Sequence, residues 1–353
     1  MNDPPFPFLV GRGRSGTTLV RAMFDSHPEM AVVDESHFLV WLGRSRRRYE
    51  SDRGLRIEPF LRDLTRHVGF RRSWLELEGE VRRSFADMPP ANCPDAIRHL
   101  YRLYAASRGK TRYGDKTPIH VLHLDLLAEL FPEARFVHVI RDGRNASLSY
   151  MGLPFGPSSL WEAALHWKRY VIAGRKAGRR LGPGRYREVR YEELVDRPEG
   201  IVRELCEFVG LTFDTSMLNY FERADQIVGK VAHYQNVHLP PTQGLRDWRR
   251  EMSRRDVAIF EALVGDLLTE LGYERAIDRL PPDIKARAQL RTLGVQMERA
   301  GRHARKLVRR TRQGLVRGLE RMESRTAVAV RTRDDRRPST LGVPARDERG
   351  GVE

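Results

Sequence analysis

The chain has 353 residues, 40% of them hydrophobic, which suffices for one large α/β domain or two small ones and excludes disorder throughout. The net charge is +16, and residues 281–353 hold 19 Lys and Arg against 9 Asp and Glu, so the basic excess is concentrated in the last part of the chain. The two cysteines follow no metal-binding or disulfide spacing, so we expect no disulfide framework. The first residues do not resemble a signal peptide and no run reaches 18 apolar residues, so we expect a cytoplasmic protein.

The first predicted element is a short apolar strand, residues 6–11, that enters a glycine-rich loop. Helical spacing follows from Leu19, so strand, loop and helix together predict a phosphate-binding loop. The ATP-binding pattern has a lysine where this chain has Thr17, which argues against an ATP or GTP hydrolase. Arg14 instead provides a planar, permanently charged group suited to phosphate. We therefore expect the loop to bind a phosphate-like group through Arg14, Ser15, Gly16, Thr17 and Thr18.

The remaining pattern alternates strands with helices. Strands are predicted at residues 6–11, 31–34, 111–114, 135–140 and 185–190. Helices are predicted at residues 17–27, 58–68, 95–108, 119–131, 142–151, 159–180, 198–209 and 261–274. This alternation predicts a three-layer α/β fold with a parallel sheet, and residues 41–110 form a helical insertion after the second strand.

Two further segments place charged side chains where strands end. YGDKTP, residues 113–118, puts Lys116 at a strand end, where the ligand crevice of an open α/β sheet lies. VHVIRDGRNASLSY, residues 137–150, puts Arg141 at the next strand end, with Asp142 as the helix cap and Ser149 two helical turns on. A solvated lysine beside a turn and an arginine in a structural ion pair are the alternatives at these positions.

The last part of the chain divides at Pro281-Pro282. We predict a catalytic domain over residues 1–280, a basic amphipathic helix over 281–325 and a disordered tail over 326–353. Four uses of the helix stay open. The first is contact of residues 284–325 with an anionic membrane surface, and the second is packing of the helix on the domain or on a second chain. The third is guidance of a polyanionic or lipid-linked acceptor, and the fourth is a solvated helix without a function of its own.

The loop, the Lys116 segment and the Arg141 segment, in this order, resemble the sulfotransferases that use 3′-phosphoadenosine-5′-phosphosulfate (PAPS). The resemblance covers residues 6–275 and is nearest the tyrosylprotein sulfotransferase type, because RSGTTLVRAMFDSHPEM continues to Asp34-Glu35-Ser36. It implies that the loop from Arg14 to Thr18 holds the 5′-phosphosulfate. It also implies roles for five single residues: the 3′-phosphate ligands Arg141 and Ser149, Tyr191 near the nucleotide, Lys116 against developing charge, and Glu35 as the catalytic base.

Some positions leave alternatives open. His27, His37 and His138 are rival bases, and Glu35 is a surface acid beside Asp34 in the simplest interpretation. The chain also departs from the tyrosylprotein type in two places: it has Ala224 where that type has serine, and Arg246-Asp247-Trp248 where it has Ser-Lys-Trp. Arg246 or Gln243 then contributes to the loop that closes over the nucleotide.

The predicted reaction is in-line transfer of a sulfuryl group from PAPS to a hydroxyl or amine, without a metal. The expected acceptors are hydroxylated small molecules, lipids or glycans, and the oligomeric state is open. The alternative enzyme is a P-loop kinase of a small metabolite, which would require the lysine that Thr17 replaces. A nucleic-acid-binding protein is disfavoured, because the charge is concentrated in the tail and no nucleic-acid-binding motif occurs.

Overall fold

The fold is a parallel five-stranded sheet between two layers of helices. The computed structural model describes residues 4–154, 156–228, 237–242 and 244–294. Its strands are β1 (Phe6–Gly11), β2 (Met30–Asp34), β3 (Glu50–Ser51), β4 (Gly54–Leu55), β5 (Arg112–Lys116), β6 (Ala134–Ile140) and β7 (Tyr186–Arg190). The main sheet has the order β2-β5-β1-β6-β7 with every neighbouring pair parallel. All five predicted strands are therefore confirmed.

Helices fill both layers and the insertion. They are α1 (Thr17–Ser26), α2 (Phe38–Ser45), α3 (Ile57–Arg66), α4 (Val68–Ser73), α5 (Glu78–Asp87), α6 (Cys93–Ala106), α7 (Leu124–Leu130), α8 (Gly143–Met151), α9 (Leu160–Leu181), α10 (Tyr191–Asp196), α11 (Pro198–Val209), α12 (Ala224–Val228), α13 (Trp248–Glu251) and α14 (Arg254–Glu270). The helix predicted over 119–131 is instead a 3₁₀ turn, Pro118–His123, followed by α7. α14 begins seven residues before its predicted start at 261, because the Ser253 side chain caps it by accepting from the Asp256 N–H.

Both faces of the sheet are buried. Phe6, Phe8 and Val10 of β1 belong to one apolar cluster, whereas Leu9 belongs to the cluster on the opposite face. Side chains alternate across a strand, so a strand buried on both faces reads as a continuous apolar run, as β1 does. The predicted three-layer arrangement is confirmed.

The insertion between β2 and β5 consists of helices α2 to α6 and the short β3–β4 hairpin. Its core includes Trp74, which is fully buried. Gly69 of α4 lies so close to the end of β2 that a Cβ there would be 2.6 Å from the Ser36 carbonyl oxygen. The insertion is thereby held against the residues that directly follow β2.

The chain divides into two compact units, Met1–Lys285 and Ala286–Glu353. Residues 282–294 are helical. The rest of the predicted basic helix, 281–325, and the whole of the predicted disordered tail, 326–353, lie outside the described residues. Across the described ranges, no helix combines the length and the apolar composition needed to cross a membrane.

Candidate active site

The glycine-rich loop follows β1 and leads directly into α1. Arg14 and Gly16 have positive φ angles of 71° and 100°, and the Ser15 N–H donates to the Arg12 carbonyl oxygen at 3.2 Å. A Cβ at Gly16 would lie 2.4 Å from Cδ2 of Tyr191. Glycine is therefore required here both by the backbone angle and by the Tyr191 ring, which packs directly on the loop.

The loop and the Arg141 segment meet through Arg14. Its Nε donates to Ser149 Oγ at 2.9 Å, and Nη1 of Arg141 lies 3.5 Å from the Arg14 carbonyl oxygen. The Arg141 guanidinium lies over the Tyr191 ring, 4.4 Å from its centroid. The structure thus brings together four of the predicted nucleotide-binding residues, Arg14, Arg141, Ser149 and Tyr191.

Arg141 is not placed as a structural ion-pair partner. None of the ion pairs among the described residues involves Arg141, and its buried Nε has no hydrogen-bond acceptor there. Its carbonyl oxygen accepts a hydrogen bond from Nε1 of Trp167 at 3.0 Å, which fixes the strand end. An arginine held in this way, with an unsatisfied donor, is suited to an anion from solution.

A buried ion-pair network fixes the start of α8. Asp142 caps the helix as predicted, its Oδ1 accepting from the Arg144 N–H at 2.9 Å. The Arg144 guanidinium is buried between Asp142 and Glu261, at 2.7 Å from each carboxylate, and lies over the Trp248 ring. This network ties the segment to α13 and α14. Sequence reasoning did not find it, because no local pattern relates Arg144 to Glu261.

The predicted base and the predicted catalytic lysine are neighbours. Asp34 at the end of β2 is in register with Lys116 at the end of β5. The Glu35 N–H donates to the Lys116 carbonyl oxygen at 2.8 Å, and Lys116 Nζ donates to Glu35 Oε1 at 3.2 Å. Lys116 is fully buried and also forms an ion pair with Asp34, so it is not the solvated lysine of the alternative interpretation.

Hydrogen-bond donors and the charges of Lys116 and Arg72 hold Glu35 in its charged form. Its Oε2 lies 3.4 Å from His37 Nε2 and 3.5 Å from Arg72 Nη1. Burial raises the pKa of Glu35, but the hydrogen bond from His37 and the charge of Lys116 outweigh it and lower the pKa to about 2. Glu35 is therefore a carboxylate at neutral pH, and the lowered pKa also makes it a weak base.

The other two rival bases are engaged elsewhere. His27 Nε2 contacts the Thr212 carbonyl oxygen at 2.8 Å. His138 is fully buried in β6, where Nδ1 contacts the Tyr186 hydroxyl at 2.6 Å and burial lowers its pKa to about 3. Both side chains are buried and make structural contacts, whereas His37 contacts Glu35 itself.

A second buried network fixes Asp115 and Thr117, the two residues on either side of Lys116. Asp115 accepts from the Tyr101 hydroxyl at 2.7 Å and contacts His120 Nδ1 at 3.1 Å. The hydroxyl of Thr117 accepts from the Ser36 N–H at 3.0 Å, which links the ends of β5 and β2. The Asp115 group is another that sequence reasoning missed, because Tyr101 reaches it from the insertion.

Arg246 lies in the segment beside α8, since the Trp248 N–H donates to Oδ1 of Asn145 at 2.8 Å. Its guanidinium pairs with Glu251 at 2.6 Å. The predicted nucleotide-closing role of Arg246 stays a prediction, and Gln243 lies outside the described residues. In the part of the chain that the structure covers, no group of three or more His, Cys, Asp or Glu side chains is arranged to hold a metal.

Comparisons with known proteins identify relatives of this chain. The chain is 26% identical to the protein-tyrosine sulfotransferase of Drosophila melanogaster, over 80% of this chain and 54% of that protein, so it spans about half of that relative's length. It is 26% identical to protein-tyrosine sulfotransferase A of Caenorhabditis elegans, over 76% of this chain and 67% of the relative. It is 28% identical to the nodulation protein NoeE of Sinorhizobium fredii, over 78% of this chain and 67% of that protein.

Solved structures confirm the fold. The sulfotransferase domain of the Synechococcus PCC 7002 olefin synthase superposes with a TM-score of 0.56 at 23% identity, covering 78% of this chain and 97% of that domain. The sulfotransferase domain of the curacin biosynthetic pathway gives 0.55 at 17% identity, covering 78% of this chain and 100% of the domain. The model of the family described as the sulfotransferase family matches residues 5–215, more than half of the chain. The chain therefore belongs to the sulfotransferase family, as its three motifs indicated.

Proposed function

We propose that this chain transfers a sulfuryl group from PAPS to a hydroxyl group of an acceptor, with Glu35 as the proton acceptor. The observation that supports this most directly is the pair of Glu35 and Lys116 at the ends of adjacent strands. β1, which carries the glycine-rich loop, is the next strand beyond β5, so loop, lysine and carboxylate share one edge of the sheet. A P-loop kinase is not favoured, since the loop lacks the lysine that such an enzyme uses.

The donor would be held by the two joined phosphate motifs. The N–H groups and hydroxyls of residues 15–18, with Arg14, suit the 5′-phosphosulfate, because a loop leading into a helix N-terminus offers several donors to an anion. Arg141 and Ser149 suit the 3′-phosphate. The unsatisfied Nε of Arg141 is the specific feature that favours a second anion at this point.

The transfer step follows from this placement. The acceptor oxygen forms a bond to sulfur while its proton passes to a carboxylate oxygen of Glu35. The bond between sulfur and the bridging oxygen breaks, and its electron pair leaves with the 5′-phosphate of adenosine 3′,5′-bisphosphate. Lys116 and Arg14 offset the negative charge that develops on that oxygen. No covalent enzyme intermediate is required.

The acidity of Glu35 bears on the acceptor. Every base takes a proton more readily from an acidic hydroxyl than from an aliphatic alcohol, and the low pKa of Glu35 makes it a weak base, for which this difference in acceptor acidity matters most. The phenol of tyrosine has an unperturbed pKa of about 10, well below that of alcohols. We therefore propose a phenolic acceptor, a tyrosine side chain included, and treat alcohols of glycans or lipids as the competing outcome.

A panel assay tests the activity. The full chain is incubated with PAPS and a tyrosine peptide, a simple phenol, an oligosaccharide or a lipid alcohol, and sulfated products are identified by mass spectrometry. We expect sulfation of the phenolic acceptors and its loss in Glu35→Gln. Sulfation of the alcohols alone would contradict the phenolic proposal, and the absence of any transfer by a PAPS-binding chain would contradict the activity.

The loop glycine gives a prediction with a matched control. Gly16→Ala is expected to weaken binding of adenosine 3′,5′-bisphosphate by about tenfold or more, because the loop must shift away from the Tyr191 ring and out of the left-handed conformation, which costs a residue other than glycine about 1–2 kcal/mol. Gly13→Ala, in the same loop, adds a Cβ with no atom within 4 Å and should bind normally. Isothermal titration calorimetry measures both, and equal affinities for the two variants would contradict the proposed packing.

The pH dependence of the reaction follows from the charged state of Glu35. Activity requires the carboxylate, so it persists above the folded-state pKa and is lost as the pH falls through about 2 rather than through the ordinary glutamate pKa of 4.5. His37→Leu removes the hydrogen bond that most lowers this pKa and should move the loss of kcat/KM upward, toward 4.5. The profile is measured from about pH 4 upward, where the wild type should show no loss and His37→Leu should begin to lose activity. A wild-type inflection between 4 and 5, or a His37→Leu profile as flat as that of the wild type, would contradict the assignment.

The location of the protein stays a proposal. We propose a cytoplasmic enzyme with membrane-surface contact through residues 284–325, supported by the basic, amphipathic pattern of that segment. Of these residues, 284–294 are described and helical. Packing of this helix on a second chain remains one of its predicted alternatives.

A further inference from the structure

Arg12 is the one arginine of the glycine-rich loop to which the proposed mechanism gives no role. It is 2% exposed. Its Nη1 donates to the Ala146 carbonyl oxygen of α8 at 3.3 Å, and its guanidinium lies 4.6 Å from the centroid of the Tyr150 ring. Nε and Nη2 are buried without a hydrogen-bond acceptor among the described residues. Arg12 thus joins the loop to the same helix that Arg14 reaches through Ser149.

The charge of Arg12 has no protein counter-ion within the described ranges. The ion pairs of the surrounding segments involve other arginines, such as Arg21 with Asp34 and Arg144 with Glu261. Burial lowers the pKa of Arg12 to about 10, although the phenol groups of Tyr150 and Tyr170 act in the opposite direction. A buried cation without an anion is costly, so the unliganded protein is less stable for carrying it.

We propose that the buried positive charge of Arg12 attracts the anion that the loop binds, and so takes the place of the P-loop lysine. Its counter-anion is then the 5′-phosphosulfate of the donor, so this inference rests on the proposed function. Arg12 acts on the donor through the electric field in the loop, not by contact with the donor. The competing explanation is that Arg12 only tethers the loop to α8.

The two explanations differ in the sign of the effect on stability. If Arg12 acts through its charge, Arg12→Met leaves the Tm of the unliganded protein unchanged or raises it, yet weakens binding of the anion. A tether lost in Arg12→Met would lower that Tm. Charge also predicts rescue by Arg12→Lys, because lysine keeps the cation although it lacks the planar guanidinium that lies on Tyr150.

The test uses calorimetric titration of the full chain with adenosine 3′,5′-bisphosphate and with adenosine 5′-monophosphate, plus thermal unfolding without ligand. By Coulomb's law, a unit charge within about 12 Å of an anion changes its Kd by about tenfold or more at an effective dielectric constant of about 20. We expect Arg12→Met to weaken both nucleotides about tenfold, and Arg12→Lys to remain within about threefold of wild type. Arg108→Met is the matched control, since Arg108 is exposed and also lies over a tyrosine, Tyr104, at 3.6 Å.

The outcomes separate this inference from the proposed function. If wild type binds neither nucleotide, the proposed function itself is wrong. If wild type binds and Arg12→Met binds equally well, or Arg12→Lys is as weak as Arg12→Met, the role of the charge is overturned and the proposed function stands. A lowered Tm of unliganded Arg12→Met also overturns it, in favour of the tether. Weaker binding by Arg12→Met, rescued by Arg12→Lys without loss of Tm, supports it.

Discussion

Replacing Glu35 by glutamine is expected to lower kcat by about 10²–10⁴-fold, the usual range for the loss of a general base. Glutamine keeps the size of the side chain and can still contact Lys116, but it cannot take the acceptor proton. The expected change in Kd for adenosine 3′,5′-bisphosphate is small, within about threefold, because the residue acts on the acceptor side of the reaction. Steady-state kinetics with saturating PAPS and calorimetric titration measure the two quantities separately.

Asp34→Asn is the matched control for this prediction. Asp34 also pairs with Lys116 and precedes Glu35 in the chain, so both substitutions remove one negative charge from the same lysine. If Glu35 is the base, Asp34→Asn should cost less activity than Glu35→Gln. A larger loss in Asp34→Asn, or nearly full activity in Glu35→Gln, would show that the ion pairs position Lys116 and that another group takes the proton.

Replacing Arg144 by alanine is expected to lower the free energy of unfolding by about 3–5 kcal/mol. Both of its carboxylate partners are buried, and Glu261 is fully so, which means that the variant leaves buried negative charge without its cation. The contact with the Trp248 ring is lost as well. Urea unfolding followed by circular dichroism gives the free energy, provided that the slope with denaturant is unchanged.

The control for Arg144 is an exposed arginine in a helical ion pair. Arg203 pairs with Glu199 at 2.6 Å, and both side chains are 56% exposed. Arg203→Ala should change stability by no more than about 1 kcal/mol, because an exposed pair of this spacing contributes little and the guanidinium contact with the Phe213 ring, at 3.9 Å, is also exposed to solvent on the Arg203 side. Comparable effects for the two variants would mean that the Arg144 network does not anchor the segment between β6 and α8.

Local patterns predicted the parts of the site that depend on local geometry. The apolar run before Gly11 marks β1, and the residue that follows each strand end lies at the carboxyl edge of a parallel sheet. The sequence alone therefore places Lys116 and Arg141 at one edge. The meeting of Glu35 with Lys116 needed one more fact, that β2 and β5 are neighbours, which their order in the chain does not determine.

The groups that sequence reasoning missed are all long-range. Glu261 reaches Arg144 from a helix 117 residues further along, and Tyr101 reaches Asp115 from the insertion. These pairs form because their residues are buried next to one another in the folded protein, and no sequence spacing predicts them. The β3–β4 hairpin was missed for another reason. Its strands have two residues each, too few for an alternating pattern to be recognised.

The most direct test of the central claim is calorimetric titration of wild type and Arg141→Ala with adenosine 3′,5′-bisphosphate, adenosine 5′-monophosphate and ATP with magnesium. We expect tight binding of the bisphosphate, much weaker binding of the monophosphate, and a loss of this difference in Arg141→Ala. That result would establish that the protein recognises a 3′-phosphate through Arg141. ATP with magnesium bound as tightly as the bisphosphate, with no effect of Arg141→Ala, would contradict the proposed sulfuryl donor and favour a kinase.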